Sequence, residues 1–199
     1  MMHDPEGSHY SWLRMWVALQ LVESVSRTTG HGYATIYLSM KPSIEHRKPS
    51  RLKNFSYQGY CRYFITIRSH NLKPHFIRDK VVTKVVEILR NVAEQEGFAV
   101  WAYCFMPDHL HLLTEGRNSA ADMRRFVTLL KQKTSYWFKG IYGEKLWEPN
   151  YYERVLRNDE ATIAVAHYIF RNPVRKGLVE DYSSYPYSGS FELEDICNL

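Results

Sequence analysis

The stretch that most constrains the fold is Phe105-Met106-Pro107-Asp108-His109-Leu110-His111-Leu112-Leu113. Pro107-Asp108 is turn chemistry: proline presets one backbone angle, and aspartate bonds its own following backbone. Apolar residues lead into the turn and alternate with histidine after it, so the segment reads as a β-hairpin. Side chains along a strand alternate between its two faces. His109 and His111 therefore share one face, and Leu110 and Leu112 share the other, aimed at a core. Such a pair suits a solvated strand face. It also suits two ligands converging on one divalent cation, because neutral imidazole is a good metal ligand.

The surrounding chain supplies the rest of a sheet and its cover. Arg62 to Arg68 alternates apolar and polar residues, with Tyr63, Ile65 and Ile67 on one face, as a strand does. Lys80 to Glu96 carries Val82, Val85, Val86, Leu89 and Ala93 at helical spacing, and Gly97 ends the helix. Phe98 to Met106 is a strand leading into the Pro-Asp turn, and the His strand runs to Glu115. Asn118-Ser119, with Asp122 three residues after Ser119, is helix-start chemistry. That helix runs to about Lys139, burying Met123, Phe126, Val127, Leu130, Trp137 and Phe138. Its other side carries Arg124, Arg125, Lys131, Gln132, Ser135 and Lys139, which suits either a solvated face or contact with phosphates. Trp147 to Arg157 is extended. Asn158-Asp159-Glu160 opens a last helix, with acids where the helix dipole favours them. Pro173 ends that helix at Asn172. The order β-α-β-β-α-β-α predicts an α+β fold, a ferredoxin-like sandwich with an antiparallel or mixed sheet of four to five strands and helices packed on it.

Three parts are expected. Residues 1–56 form an N-terminal extension and a basic arm, poorly ordered, in which Trp12 to Val25 could be a short helix and Lys41, Arg47, Lys48, Arg51 and Lys53 sit among prolines and serines. Met40 could be the natural start. Residues 57–190 form the folded domain, and 191–199 a C-terminal tail. Among 199 residues, 45% are hydrophobic, which is enough for a packed core and argues against global disorder. The formal charge of +5 is compatible with a polyanionic partner, and the 15 tyrosines offer faces on which unpaired bases stack. Cys61, Cys104 and Cys197 are odd in number and widely spaced, without a Cys-x-x-Cys. That argues against a disulfide framework or zinc-thiolate site, and for a reducing, cytoplasmic location. No apolar run is long enough for a bilayer, so no membrane partner is expected.

The last helix holds a second set of candidates. Tyr168 and Asn172 are four apart and share a helical face, with Ala161 and Ala164 as small neighbours. Ile163, Ala166 and Phe170 form a separate apolar stripe. Arg175 and Lys176 follow just beyond. A tyrosine off the main stripe suits a core-edge position with a satisfied hydroxyl, and it also suits a reactive centre.

Taken together, Pro107-Asp108-His109-Leu110-His111-Leu112-Leu113 and Tyr168…Asn172-Pro173-Val174-Arg175-Lys176-Gly177 resemble the HUH single-tyrosine transposases of insertion sequences, and among them the REP-associated group. Tyr63-Phe64-Ile65-Thr66-Ile67, Trp147-Glu148, Tyr151-Tyr152 and Tyr185-Pro186 add to the resemblance, which covers about residues 57–190. It implies that His109 and His111 bind a metal ion, Mg²⁺ or Mn²⁺, with Asn172 as third ligand and Tyr168 as nucleophile. It implies single-stranded DNA with a hairpin as substrate, and cleavage and strand transfer through a 5′-phosphotyrosine. Arg124, Arg125, Lys131, Arg175 and Lys176 are the candidate DNA contacts, Lys176 also a candidate for stabilising the phenolate. Asp108 and Glu115 are candidates for supporting the metal ligands, and Tyr136, Tyr151 and Tyr152 for packing or base stacking. Two neutral imidazoles and an amide leave a bound cation fully charged but hold Mg²⁺ weakly, so Mn²⁺ should serve well. Two alternatives compete. One is a hairpin-binding protein of the same fold that does not cut. The other, a nucleotide phosphohydrolase, needs a third alternating histidine or a repeated His-x-Thr pair, and Leu113 stands at the third alternating position. The sequence is compatible with a monomer or with a homodimer exchanging its last helices.

Overall fold

The structure, a computed structural model, describes residues 55–156 and 160–193. The expectations for Trp12–Val25, Met40, most of the basic arm, Asn158, Asp159 and Cys197 lie outside the described residues, as does the Ala161 side chain. The elements are β1 (Arg62–Ser69), two 3-10 turns (His70–Leu72 and His75–Ile77), α1 (Asp79–Glu96), β2 (Phe98–Met106), β3 (His109–Gly116), α2 (Met123–Tyr142), β4 (Trp147–Leu156), α3 (Glu160–Phe170), α4 (Asn172–Arg175), a 3-10 turn (Tyr182–Ser184) and β5 (Ser188–Gly189). The sheet order is β4-β1-β3-β2-β5, and every pair is antiparallel. The architecture is α+β, with the strand order of a ferredoxin-like sandwich plus a two-residue fifth strand.

The period-two pattern decides what each sheet face packs against. Tyr63, Ile65, Ile67, Phe105, Leu110 and Leu112 join α1 and α2 in one buried core. From α1 that core takes Val81, Val82, Val85, Leu89, Val92 and Ala93, so Val81 and Val92 belong to the stripe and Val86 lies at its edge. The opposite face is smaller. Ala102, Cys104, Met106 and Leu113 meet Ala166, Ile169 and Phe170 of α3. Each fully buried aliphatic or aromatic side chain contributes about 1.5–3 kcal/mol relative to exposure, so among the described residues α3 is fastened by fewer such anchors than α1. β3, the histidine strand, is central, between β1 and β2. At its far end Gly116 admits no side chain: a Cβ there would lie 2.0 Å from the carbonyl oxygen of Gly59.

Several boundaries differ from expectation. Helix α2 begins at Met123, not near Ser119, and Asp122 is its cap, accepting from the amides of Arg124 and Arg125. Asp122 is held extended by a bridge to Gln58, which delays the helix. Helix α2 continues past Lys139 to Tyr142, where Gly143 takes the left-handed conformation. Trp137 is only partly buried, and Thr134 joins the buried stripe. On α3, Ile163 is exposed and Ile169 takes the buried position. That helix ends at Phe170; Asn172 does not terminate it but opens α4, with Pro173 in the first turn, where a missing N–H costs nothing. The expected tail begins with a packed residue. Phe191 donates its amide to Val100 and packs its ring 5.4 Å from Tyr103, under the guanidinium of Arg90.

Candidate active site

The site is built on the α3-facing side of the central strands. Residues on this face of β3 are His109, His111 and Leu113, and β1 contributes Phe64 and Thr66, paired with Leu113 and His111. The turn carrying Asp108 is fixed from outside: the Ser69 amide donates to the Asp108 carbonyl at 2.9 Å, and the Phe76 amide to the Pro107 carbonyl at 3.1 Å. Each imidazole is then held through its Nδ1. Asp108 Oδ1 lies 2.6 Å from His109 Nδ1, and Thr66 Oγ1 lies 3.0 Å from His111 Nδ1. The two Nε2 atoms turn toward each other and come within 3.0 Å. Burial, reinforced by His109 and by the charge of Arg175, pushes His111 down to about 3, so its ring is neutral near pH 7.

This arrangement fits a divalent cation as far as two ligands. Two bonds of about 2.1 Å at a right angle place their donor atoms about 3.0 Å apart. Both Nδ1 atoms are occupied by oxygen partners, the arrangement that orients metal-bound histidine. Among the described residues no group of three His, Cys, Asp or Glu side chains gathers around a metal position. Asn172 is buried one helical turn after Tyr168, and its amide nitrogen is held by the carbonyls of Tyr168, at 2.9 Å, and Ile169, at 3.3 Å. Its carbonyl oxygen is the atom that could serve a cation.

Tyr168 belongs to the same face. Phe64 is stacked on His111, with centroids 5.5 Å apart, and meets Tyr168 edge-on at 6.3 Å. One ring thus touches both the imidazole and the phenol. The Arg175 guanidinium lies 4.9 Å from the centre of the Tyr168 ring. It occupies the place expected of Lys176, for which the structure shows no contact with the phenol.

A model of the family described as "Transposase IS200 like" matches residues 58–172, a span that takes in both the histidine strand and Tyr168. The chain belongs to this transposase family. It is thereby a DNA-processing enzyme by descent. A REP-associated tyrosine transposase of Escherichia coli K12 is 28% identical over 134 residues, covering 63% of this chain and 74% of the relative. A Haemophilus influenzae protein carrying the same description in provisional form is 28% identical over 137 residues, covering 63% of this chain and 77% of its own length. The fold is that of a solved REP-associated tyrosine transposase bound to a REP hairpin, with TM-score 0.60 and 21% identity over 70% of this chain and 81% of that one. Among the described residues no helix is long and apolar enough to cross a membrane.

The other candidates of this transposase divide by face. Arg124, Arg125 and Lys131 ride on α2, on the far side of the sheet from the histidines. Arg124 stacks over Tyr57 at 4.9 Å, Arg125 pairs with Glu96 at 2.9 Å, and Lys131 donates to the carbonyls of Glu148 and Pro149 at 2.8 and 2.7 Å. These contacts join α2 to its neighbours. Glu115 pairs with Arg62 and accepts from the Trp101 indole, so of the two acids only Asp108 supports a histidine. Tyr151 turns to the α2 side, 3.9 Å from the Met123 sulfur. Tyr152 lies on the site face, 6.5 Å from Phe64 and paired in register with Thr66. Tyr136 is 86% exposed and far up α2. Phe64 and Thr66 were not among the expected site residues. Their parity, opposite to Tyr63, Ile65 and Ile67, was the available signal.

Proposed function

We propose that this transposase cleaves single-stranded DNA beside a hairpin and rejoins it through a covalent link to Tyr168. The reading is supported above all by the shared face: the two imidazole Nε2 atoms converge, and His111 and the half-buried Tyr168 ring both contact Phe64. The solved relative whose fold this chain shares is bound to a REP hairpin, which favours a hairpin-bearing strand as the substrate here. His109 and His111 would hold Mg²⁺ or Mn²⁺, with the Asn172 carbonyl oxygen as a third ligand. A divalent ion supplies polarisation of the scissile phosphate and screening of its charge.

The chain's own residues account for the remaining chemistry. The Tyr168 oxygen forms a bond to phosphorus as the bond from phosphorus to the 3′ oxygen breaks. The phenol gives up its proton, the departing strand gains one, and the product is a 5′-phosphotyrosine with a free 3′-hydroxyl. Attack by another 3′-hydroxyl on that phosphotyrosine reverses the exchange and joins strands. Phe64, in contact with both rings, would restrain the phenol relative to His111. Arg175, stacked on the phenol ring, carries positive charge to the place where phosphate negative charge accumulates.

The test is a denaturing gel of full-length protein incubated with a labelled hairpin oligonucleotide and Mn²⁺. Wild type should give a covalent adduct that Tyr168→Phe does not. If both bind the hairpin and neither forms the adduct, the chain is a hairpin-binding protein of this fold and the cleavage reading is lost.

A further inference from the structure

The two histidines are held by partners of different chemistry, and the difference has a consequence. Asp108 is a carboxylate and only accepts, so at 2.6 Å it fixes the proton of neutral His109 on Nδ1. His109 Nε2 is then a bare lone pair. It faces His111 Nε2 at 3.0 Å, and two lone pairs at that distance repel. Without a cation between them and with both rings neutral, His111 carries its proton on Nε2 and donates it to His109. Its Nδ1 is then a lone pair, satisfied by the hydroxyl proton of Thr66 at 3.0 Å. With a cation between them, both Nε2 atoms must offer lone pairs. The His111 proton then belongs on Nδ1, where it needs an acceptor.

A hydroxyl serves both states, because it donates in one and accepts in the other. We infer that Thr66 is a positioning residue that lets His111 exchange tautomers as a cation enters, while Asp108 keeps His109 in one tautomer throughout. The inference rests on the cation site proposed above. The exchange conserves protons at His111: one leaves Nε2, one is gained at Nδ1, and the Thr66 O–H rotates away. Thr66 has the location to do this because β1 pairs with β3 in a register that sets Thr66 opposite His111.

The experiment is nitrogen-15 NMR of the imidazole rings in the full chain at pH 8, first without metal and then with Zn²⁺, a diamagnetic probe that favours imidazole. Calorimetric Zn²⁺ titrations of wild type, Thr66→Val and Thr66→Ser accompany it. Without metal, His109 should carry its proton on Nδ1 and His111 on Nε2; with Zn²⁺, His111 should carry it on Nδ1. Thr66→Val should bind Zn²⁺ about 10–100-fold more weakly, the range for removing a partner of a metal-bound histidine, and Thr66→Ser should bind within about threefold of wild type. Valine keeps the branched shape that suits the strand, and a matching melting temperature confirms folding. The inference is overturned if His111 already carries its proton on Nδ1 before metal is added, or if Thr66→Val binds as wild type does. Neither readout needs DNA, so these results stand apart from the adduct assay. A missing adduct with the tautomer exchange intact removes the cleavage reading and leaves this one.

Discussion

Phe64 touches both halves of the site, so its removal is a sharp test of the geometry. It stacks on His111 at 5.5 Å and meets Tyr168 and Tyr152 edge-on at 6.3 and 6.5 Å. A fully buried Phe→Ala change costs about 3–5 kcal/mol. Phe64 is only half-buried, so about 2 kcal/mol of stability should be lost. Aromatic pairs contribute about 0.5–1.5 kcal/mol each beyond area burial, but three pairs sharing one ring do not add. The chemistry should suffer separately. The ring helps fix the distance between phenol and imidazole, and a misplacement of about 1 Å lowers a rate by about 100-fold. Single-turnover adduct formation should be followed at saturating oligonucleotide and Mn²⁺, at a temperature where Phe64→Ala is fully folded by circular dichroism. Phe64→Leu, which restores most of the volume but no aromatic face, should fall between wild type and Phe64→Ala. Should Phe64→Ala form the adduct at the wild-type rate while folded, Phe64 does not set the position of Tyr168.

Other outcomes follow from the same contacts. Asp108→Asn weakens the acceptor that orients His109 and should lower Mn²⁺ affinity about 10–100-fold, measured by electron paramagnetic resonance titration; an unchanged affinity would show that the 2.6 Å contact is idle. Burial, as the largest cause, holds both His75 and His111 below the ordinary histidine value. A histidine that resists protonation only when folded makes the native state lose stability as pH falls. Stability should therefore be full above about pH 6.5 and decline below it, for His111 until its folded value of about 3; urea titrations of wild type and His111→Gln should show a shallower decline in the variant. Thr134 accepts from the Trp147 indole at 2.8 Å while donating to the Leu130 carbonyl at 2.6 Å. Thr134→Val strands that buried N–H and should cost about 1–3 kcal/mol, read by denaturant midpoint, with little effect on adduct formation because the contact lies on the α2 side.

Local chemistry was legible in the sequence wherever one element decides its own outcome. The Pro107-Asp108 hairpin, the shared face of His109 and His111, and the Gly97 stop of α1 depend on backbone angles and on side-chain period, and the structure has all three. Helix starts depend on more. Asn118 and Asp122 are both good caps, and both use their side chains: Asn118 accepts from the Ala120 amide at 3.0 Å, and Asp122 from Arg124 at 2.9 Å. What selects Asp122 is its bridge to Gln58 and the Met123 amide donating to the Tyr57 carbonyl. Those contacts join segments far apart in the chain, and no local pattern encodes them. The basic side of α2 shows the same limit. Arg124, Arg125 and Lys131 have the composition of a phosphate-binding face, but the face they occupy is decided by which side of the sheet α2 packs on.

Pairing register explains why the site was half visible. Alternation along β1 assigns Phe64 and Thr66 to the face opposite Ile65, but it cannot say which β3 residue each one meets. A slip of one residue would have turned all of them over, and a slip of two would have set Thr66 against Leu113 or His109 instead of His111. The observed register is held by a hydrophobic requirement on the other face: Ile65 must meet Leu112 and Ile67 must meet Leu110, with all four buried in the core under α1 and α2. The polar contact between Thr66 and His111 is thus specified by the apolar pairs behind it. Disrupting those pairs should therefore damage the imidazole geometry without touching a site residue. Ile67→Ala removes packing behind Arg68 and His109, and Ile65→Ala behind Thr66 and Phe64. At a temperature where both variants are folded, each should loosen the pairing of Nε2 atoms and weaken Zn²⁺ binding measured by calorimetry. Wild-type affinity in both would mean that the turn contacts from Ser69 and Phe76 alone hold the hairpin in register.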